Sequence, residues 1–201
     1  WAGILIDGGQ YGICSDNTVV GGWYDGIKLI RHNKGSGTIQ PDDYTITGNT
    51  VKSSVRHGIR VEVNTGYTLK RVRITNNKVS LCGDAGVAIT CITGGAVGSI
   101  KGLDLSGNFI CDNGRTTAVD AQKSGIYINV PIATARICGN TIFDSGAATQ
   151  KYGITVDTAA LTSTLVNDNH ALDNTTTTGL NLINGGTVAG KGAGNLGIAD
   201  F

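Results

Sequence analysis

The sequence predicts an all-β solenoid, a chain wound into about seven stacked coils of short parallel strands. Three observations predict it. Of 201 residues 31 are glycine, methionine is absent and Glu62 is the single glutamate, so good helix formers are scarce. Thr, Val, Ile and Asn take their place and favour strands joined by turns. A strand motif then recurs, as AGILID at 2–7, DGIKLI at 25–30, HGIRVE at 57–62, AGVAIT at 85–90, SGIYIN at 124–129, YGITVD at 152–157 and TGLNLI at 178–183. Between its copies lies a turn motif: CSDNTV at 14–19, ITGNTV at 46–51, ITNNKV at 74–79, LSGNFI at 105–110, ICGNTI at 137–142 and VNDNHA at 166–171. Self-similarity at such periods marks a solenoid.

Each element has a physical reason. The motif predicts two strands and two turns per repeat. Gly3, Gly26, Gly58, Gly86, Gly125, Gly153 and Gly179 precede a branched aliphatic residue, where a bend or close coil contact leaves no room for a Cβ. In the strands, Ile27/Leu29, Ile59/Val61, Val87/Ile89, Ile126/Ile128 and their counterparts alternate inward, and the residues between them point outward. From Asn to the next Gly the spacing is nine residues in the first three repeats, then 17, 13 and 10, the pattern of a constant corner with tolerated insertions. Coils stacked about 4.8 Å apart bring like residues together. Asn17, Asn49, Asn77, Asn108, Asn140 and Asn169 therefore form a ladder whose amides can donate and accept from coil to coil.

The alternation of G-[IV]-x-[VIL] with x-G-N-x-[VI] resembles the right-handed parallel β-helix repeat of the pectate-lyase-like superfamily, over nearly the full chain. That superfamily includes pectinolytic enzymes, alginate epimerases and lyases, and bacteriophage tailspike depolymerases. The resemblance implies a right-handed parallel β-helix at residues 1–183. Residues 184–201 lose the pattern and read as a Gly-rich C-terminal cap or tail. The start inside a strand-like run, WAGILID, reads as that of a fragment of a longer chain, lacking the N-terminal cap that shields a solenoid's end.

Charge and cysteine content exclude several classes. The formal net charge of +1 gives no nucleic-acid or membrane surface, and no apolar run reaches the roughly 18 residues of a membrane span. Cys14, Cys82, Cys91, Cys111 and Cys138 are odd in number and contain no CxxC pair, so they read as reduced thiols. Scattered His32, His57 and His170 make no metal-ligand pattern, and no cofactor is expected; calcium is implied only by the family resemblance.

Candidate chemistry follows from the ladder, which decides neighbours across coils. One outward column is Leu5, Lys28, Arg60, Ala88, Tyr127, Thr155 and Asn181; another contains Asp7, Ile30, Glu62 and Thr90. Charge concentrates in the first three rungs, with Lys28 beside Arg60, Asp25 beside His57, and Arg31, His32 and Arg56 at the edges. Three readings compete: a solvated face of mutually offset charges; Lys28 and Arg60 gripping an acidic sugar; and catalysis. Catalytic candidates are Asp7 with Glu62, as the acid and base of an inverting glycosidase, or Lys28 and Arg60, as base and enolate-stabilising cation of a lyase. Binding candidates are Trp23, Tyr24, Asp25, His57, Tyr127 and Tyr152, the tyrosines beside a groove walled by the inserted loops. The epimerase Asp-Pro-His-Glu motif is absent, and Asp42-Asp43, His57-Gly58 and Arg71-Val72-Arg73 are only fragments of the polygalacturonase series.

The functional expectation is binding, with depolymerisation in view, of a bacterial surface polysaccharide by a tailspike or tail-fibre domain, located on a virion tail or outside a cell. The likeness implies a homotrimer. The alternatives are a secreted pectate-lyase-like lyase or hydrolase and a non-catalytic stalk or adhesin module.

Overall fold

In the computed structural model, which describes residues 1–8, 11–31, 42–91, 98–146, 149–157, 160–172, 180–183, 187–188 and 195, each repeat runs through three strands before returning to its start. The first coil shows the plan, with Ala2–Asp7, Tyr11–Ser15 and Thr18–Val20. The Gly-led strands stack in parallel as sheet 1, seven strands from Ala2–Asp7 to Leu180–Ile183. Sheet 2 stacks six strands from Tyr11–Ser15 to Thr164–Asn167, and sheet 3 six from Thr18–Val20 to His170–Leu172. A two-stranded pairing joins Ala160–Leu161 to Thr187–Val188. Among the described residues the one helical element is the 3-10 turn Asp120–Gln122. The all-β parallel solenoid is thus the fold that forms.

The turn motif spans two strands rather than one, which corrects the expected two strands per repeat. A single left-handed residue separates them: Asp16, Gly48, Asn76, Gly107, Gly139 and Asp168 have φ of 57°, 67°, 57°, 65°, 62° and 52°. Gly, Asn and Asp are the residues that visit this region at least cost, so the D-N, G-N and N-N dipeptides are corner signals. The ladder asparagine follows directly and holds the corner shut. Asn49 donates Nδ2–H to Asn77 Oδ1 at 3.0 Å, to Thr47 O at 3.0 Å and to Cys14 O at 2.9 Å, while its backbone N–H also reaches Asn77 Oδ1 at 3.0 Å. The same pattern links Asn77 to Asn108, Asn108 to Asn140 and Asn140 to Asn169. It then continues into the Gly-rich segment, where Asn169 Nδ2 donates to Asn195 Oδ1 at 3.2 Å. Most of residues 184–201 lie outside the described residues.

Close coil contact explains the glycine column. A Cβ on Gly58 would lie 2.2 Å from Val79 Cγ1 and 2.7 Å from the Gly86 carbonyl oxygen, and one on Gly125 would lie 2.2 Å from Ile142 Cγ2. The aliphatic column of sheet 3 therefore packs straight onto the glycine backbone. Ile27, Leu29, Ile59, Val61, Val87, Ile89, Ile126 and Ile128 fill the interior beside Ile46, Ile74 and Leu105 from sheet 2. Outward columns keep the expected register: Leu5 faces Lys28, Lys28 faces Arg60, Arg60 faces Ala88 and Ala88 faces Tyr127.

Asn77→Ala removes the acceptor of Asn49's buried N–H and amide and the donor to Ile46 O and Thr75 O. At about 1–3 kcal/mol for each buried group left unsatisfied, urea denaturation should show a loss of roughly 3 kcal/mol or more.

Candidate functional site

The charged residues of the first rungs form one hydrogen-bonded network on sheet 1. Register places Lys28 opposite Arg60 and Ile30 opposite Glu62, so Glu62 lies two residues along the strand from both cations, at the next outward position. Its Oε2 is 3.0 Å from Lys28 Nζ and 2.6 Å from Arg60 Nη2. Arg60 Nη1 also lies 3.6 Å from Asp25 Oδ2, and its Nε–H donates to Thr90 Oγ1 at 3.0 Å. At the strand entrance Arg56 Nε pairs with Asp84 Oδ2 at 3.4 Å, and His57 Nε2 is 3.8 Å from the same oxygen. Three cations, Lys28, Arg56 and Arg60, thus face three carboxylates, Asp25, Glu62 and Asp84.

This cluster is not the solvated face that strand alternation suggests. The side chains of Asp25 and Glu62 are 4% and 8% exposed, and that of His57 only 1%. Removing one member of such a covered pair costs about 3–5 kcal/mol, well above the 0–1 kcal/mol of surface pairs. His57 does not point freely outward. It is held neutral, its pKa lowered from 6.5 to about 3 by burial first and then by the Arg60 and Arg56 charges. The contact with Asp84 is therefore one of a neutral imidazole. Burial pushes the Asp84 carboxyl up, against the opposing pull of Arg56.

A groove of about 290 Å³ opens above the network, lined by Arg56, Arg60, Glu62, Thr90, Gln122 and Tyr127 among others. Gln122 belongs to the inserted loop, so the insertion does form a wall beside Tyr127. Tyr127 itself is 4% exposed and donates its hydroxyl to Asp157 Oδ2 at 2.9 Å; burial and that carboxylate raise its pKa. Its role as an exposed stacking face is thereby corrected. Trp23 and Tyr24, in the turn before Asp25–Arg31, are 52% and 57% exposed and fit that role. Tyr152 is half-buried beneath Lys151, whose Nζ lies 5.9 Å from its ring centre. Asp7 is exposed at the end of its strand, two register steps from Glu62 through Ile30. The Arg31 side chain and His32 lie outside the described residues.

Asp84 is the functional neighbour that sequence reasoning missed. Its signal was present, because the repeat alignment that pairs Lys28 with Arg60 also stacks Tyr24, Arg56 and Asp84, and their backbones bond in that order. Asn129 and Asp157 continue the outward column of Glu62 and Thr90 in the same alignment, whereas Gln122, inside an insertion, had no such signal. All five cysteines are free, and burial lifts Cys82 to about 12 and Cys111 to about 11, which keeps these thiols protonated and unreactive. No three His, Cys, Asp or Glu side chains gather as metal ligands among the described residues.

Three stacked parallel sheets around a ladder of asparagines define a parallel β-helix. A family model described as "Right handed beta helix region" matches residues 2–193, and the chain belongs to that family. No curated protein sequence matches it. Among solved structures it is similar to the A-module of the Azotobacter vinelandii mannuronan C-5 epimerase AlgE6, with a TM-score of 0.43 and 15% identity. The match covers 98% of this chain and 55% of that one, so the chain spans about half the length of that relative.

The state of His57 sets a pH dependence. Its native pKa is depressed, so its contribution to stability is complete above the unfolded value near 6.5 and is lost as pH falls toward 3. In that window the unfolded chain binds a proton that the native chain does not, a slope of up to about 1.4 kcal/mol per pH unit. Denaturation curves at pH 7, 5.5 and 4 should show this decline, and His57→Gln should flatten it.

Proposed function

We propose that the protein binds a long polysaccharide along sheet 1 and its Trp23–Tyr24 edge, as a β-helix of the bacteriophage tailspike or tail-fibre kind. One observation carries this reading: a groove with hydrogen-bonding walls is lined by Arg56, whose backbone stacks directly on the turn carrying Trp23 and Tyr24, two aromatic side chains that stay more than half exposed. Aromatic faces pack on sugar rings while polar groups orient the hydroxyls. A solenoid also repeats its surface about every 4.8 Å, which suits a linear polymer better than a small molecule. Thiols outside any disulfide, buried at Cys14, Cys82, Cys111 and Cys138, fit a chain assembled in a reducing cytosol and released by lysis. A homotrimer on a virion tail belongs to the same proposal.

Binding fits the network better than chemistry does. A glycosidase acid or base at Glu62 would first have to leave both Lys28 and Arg60. A lyase base at Lys28 or Arg60 would have to leave Glu62 in turn. With all three engaged on one another, Arg60 and Glu62 serve to hold the groove floor in shape, and the rim makes the contacts.

The chain should be retained by at least one member of a panel of capsular and plant polysaccharides, and retention by none would overturn the proposal. Trp23→Ala and Tyr24→Ala should each weaken that retention about tenfold, roughly 1.4 kcal/mol, with an unchanged melting temperature. The same incubations read chemistry directly, since a lyase releases ultraviolet-absorbing unsaturated uronate and a hydrolase new reducing ends. Binding without either product is the expected result.

A further inference from the structure

The two inserted loops meet at a second cleft, whose lining shares no residue with the sheet 1 groove. The Asn108–Gly125 and Asn140–Gly153 intervals exceed the basic nine residues by eight and four, and both insertions fall between sheet 3 and sheet 1 in successive coils. They pack tightly. Gly114, at φ 77°, has no space for a side chain: a Cβ there would lie 2.7 Å from Lys123 Cα and 3.0 Å from the Thr149 carbonyl oxygen. Backbone hydrogen bonds tie the loops to the scaffold, from Gly114 N–H to Asp84 O at 2.8 Å, Thr116 N–H to Gly83 O at 2.9 Å and Lys151 N–H to Lys123 O at 2.7 Å. Asp144 Oδ2 accepts the N–H groups of Thr149 and Gln150, each at 2.8 Å, and buried Gln150 accepts from Asn113 Nδ2 at 3.0 Å. These bonds hold the lining residues to one another and to the scaffold.

Its chemistry differs from that of the first groove. About 260 Å³ in volume, it is lined by Arg115, Lys123 and Lys151 together with the threonines Thr116, Thr117 and Thr149. Asp120 pairs with two of these cations, Lys123 at 3.0 Å and Lys151. Arg115 has no ion pair among the described residues. The sheet 1 network closes upon itself, three charges against three, whereas the Arg115 guanidinium of this cleft stands outside any ion pair among the described residues. Asp120 holds the two ammonium groups in place, and the exposed guanidinium is free to grip two oxygens at once.

We propose that this cleft is a binding site for an oxyanion, a carboxylate or sulfate group, with Arg115 as the bidentate contact and Lys123 and Lys151 as the neutralising charges. Threonine hydroxyls complete the donor set. The site stands on its own residues and goes beyond the sheet 1 proposal, which concerns a different groove.

Titration of the intact chain with dextran sulfate, hyaluronate, neutral dextran and inorganic sulfate tests it. Binding of a charged polymer or of inorganic sulfate, but not of neutral dextran, is the expected result. A charged polymer that binds much more tightly than inorganic sulfate identifies a polymer-borne group, and equal affinity per group identifies the free anion. The double variant Arg115→Ser with Lys151→Gln should lower affinity at least tenfold with an unchanged melting temperature. Lys101→Gln, an exposed lysine on sheet 2, should leave affinity as it is, and so should Trp23→Ala, which probes only the sheet 1 edge. No binding of any anion would overturn the proposal, as would affinity unchanged in the double variant or lowered equally by Lys101→Gln.

Discussion

The buried asparagine that follows each left-handed corner residue is the constraint on which the rest of the structure depends. A chain that turns from sheet 2 into sheet 3 at one residue leaves backbone donors and acceptors stranded inside the corner, and water cannot reach them. The asparagine amide satisfies them all, donating to carbonyls of its own and the preceding coil while its oxygen accepts from the coil before. Each Asn depends on the next. The ladder therefore sets the vertical register of the solenoid as well as the shape of the turn, and every column on the outer surface inherits that register.

Function is then a matter of which columns break the repetition. Sheet 1 carries its charges in the first three rungs, where Lys28, Arg60 and Glu62 are brought within bonding distance by register alone. Burial of Glu62 between two partly covered cations makes them a braced floor rather than a solvated patch. Farther along, two loops of unequal length exploit the same freedom at the turn into sheet 1 and build a cleft of different character, lined by three cations and three threonines. One scaffold thus presents two chemically distinct surfaces, because insertions at that turn leave the corners and the core untouched.

Much of this was legible from residues. The Gly-led strands, the Asn ladder as far as Asn169 and the pairing of Lys28 with Arg60 follow from aligned repeats, since a solenoid turns sequence periodicity directly into contact. The third strand per coil was harder to see: Thr18–Val20 and its counterparts are three residues long, too short to show alternation. Asn195 was concealed by a Gly-rich neighbourhood with no strand motif around it. Trp23 and Tyr24 are exposed while the outward-facing Tyr127 is covered, because an outward direction does not reveal what a loop lays over it.

By itself the sequence determined the fold, the register and the identity of facing residues, because all three are consequences of local periodicity and of the few residue types that tolerate a left-handed corner or a missing Cβ. Only the tertiary structure decided how deeply the charged residues are covered, that His57 is neutral, that Glu62 is shared by two cations and that the inserted loops converge on a cleft. Those are properties of solvent exclusion and of distances between segments with no fixed sequence spacing. The repeat transmits neighbours from coil to coil, but burial depends on what the irregular parts of the chain fold across them.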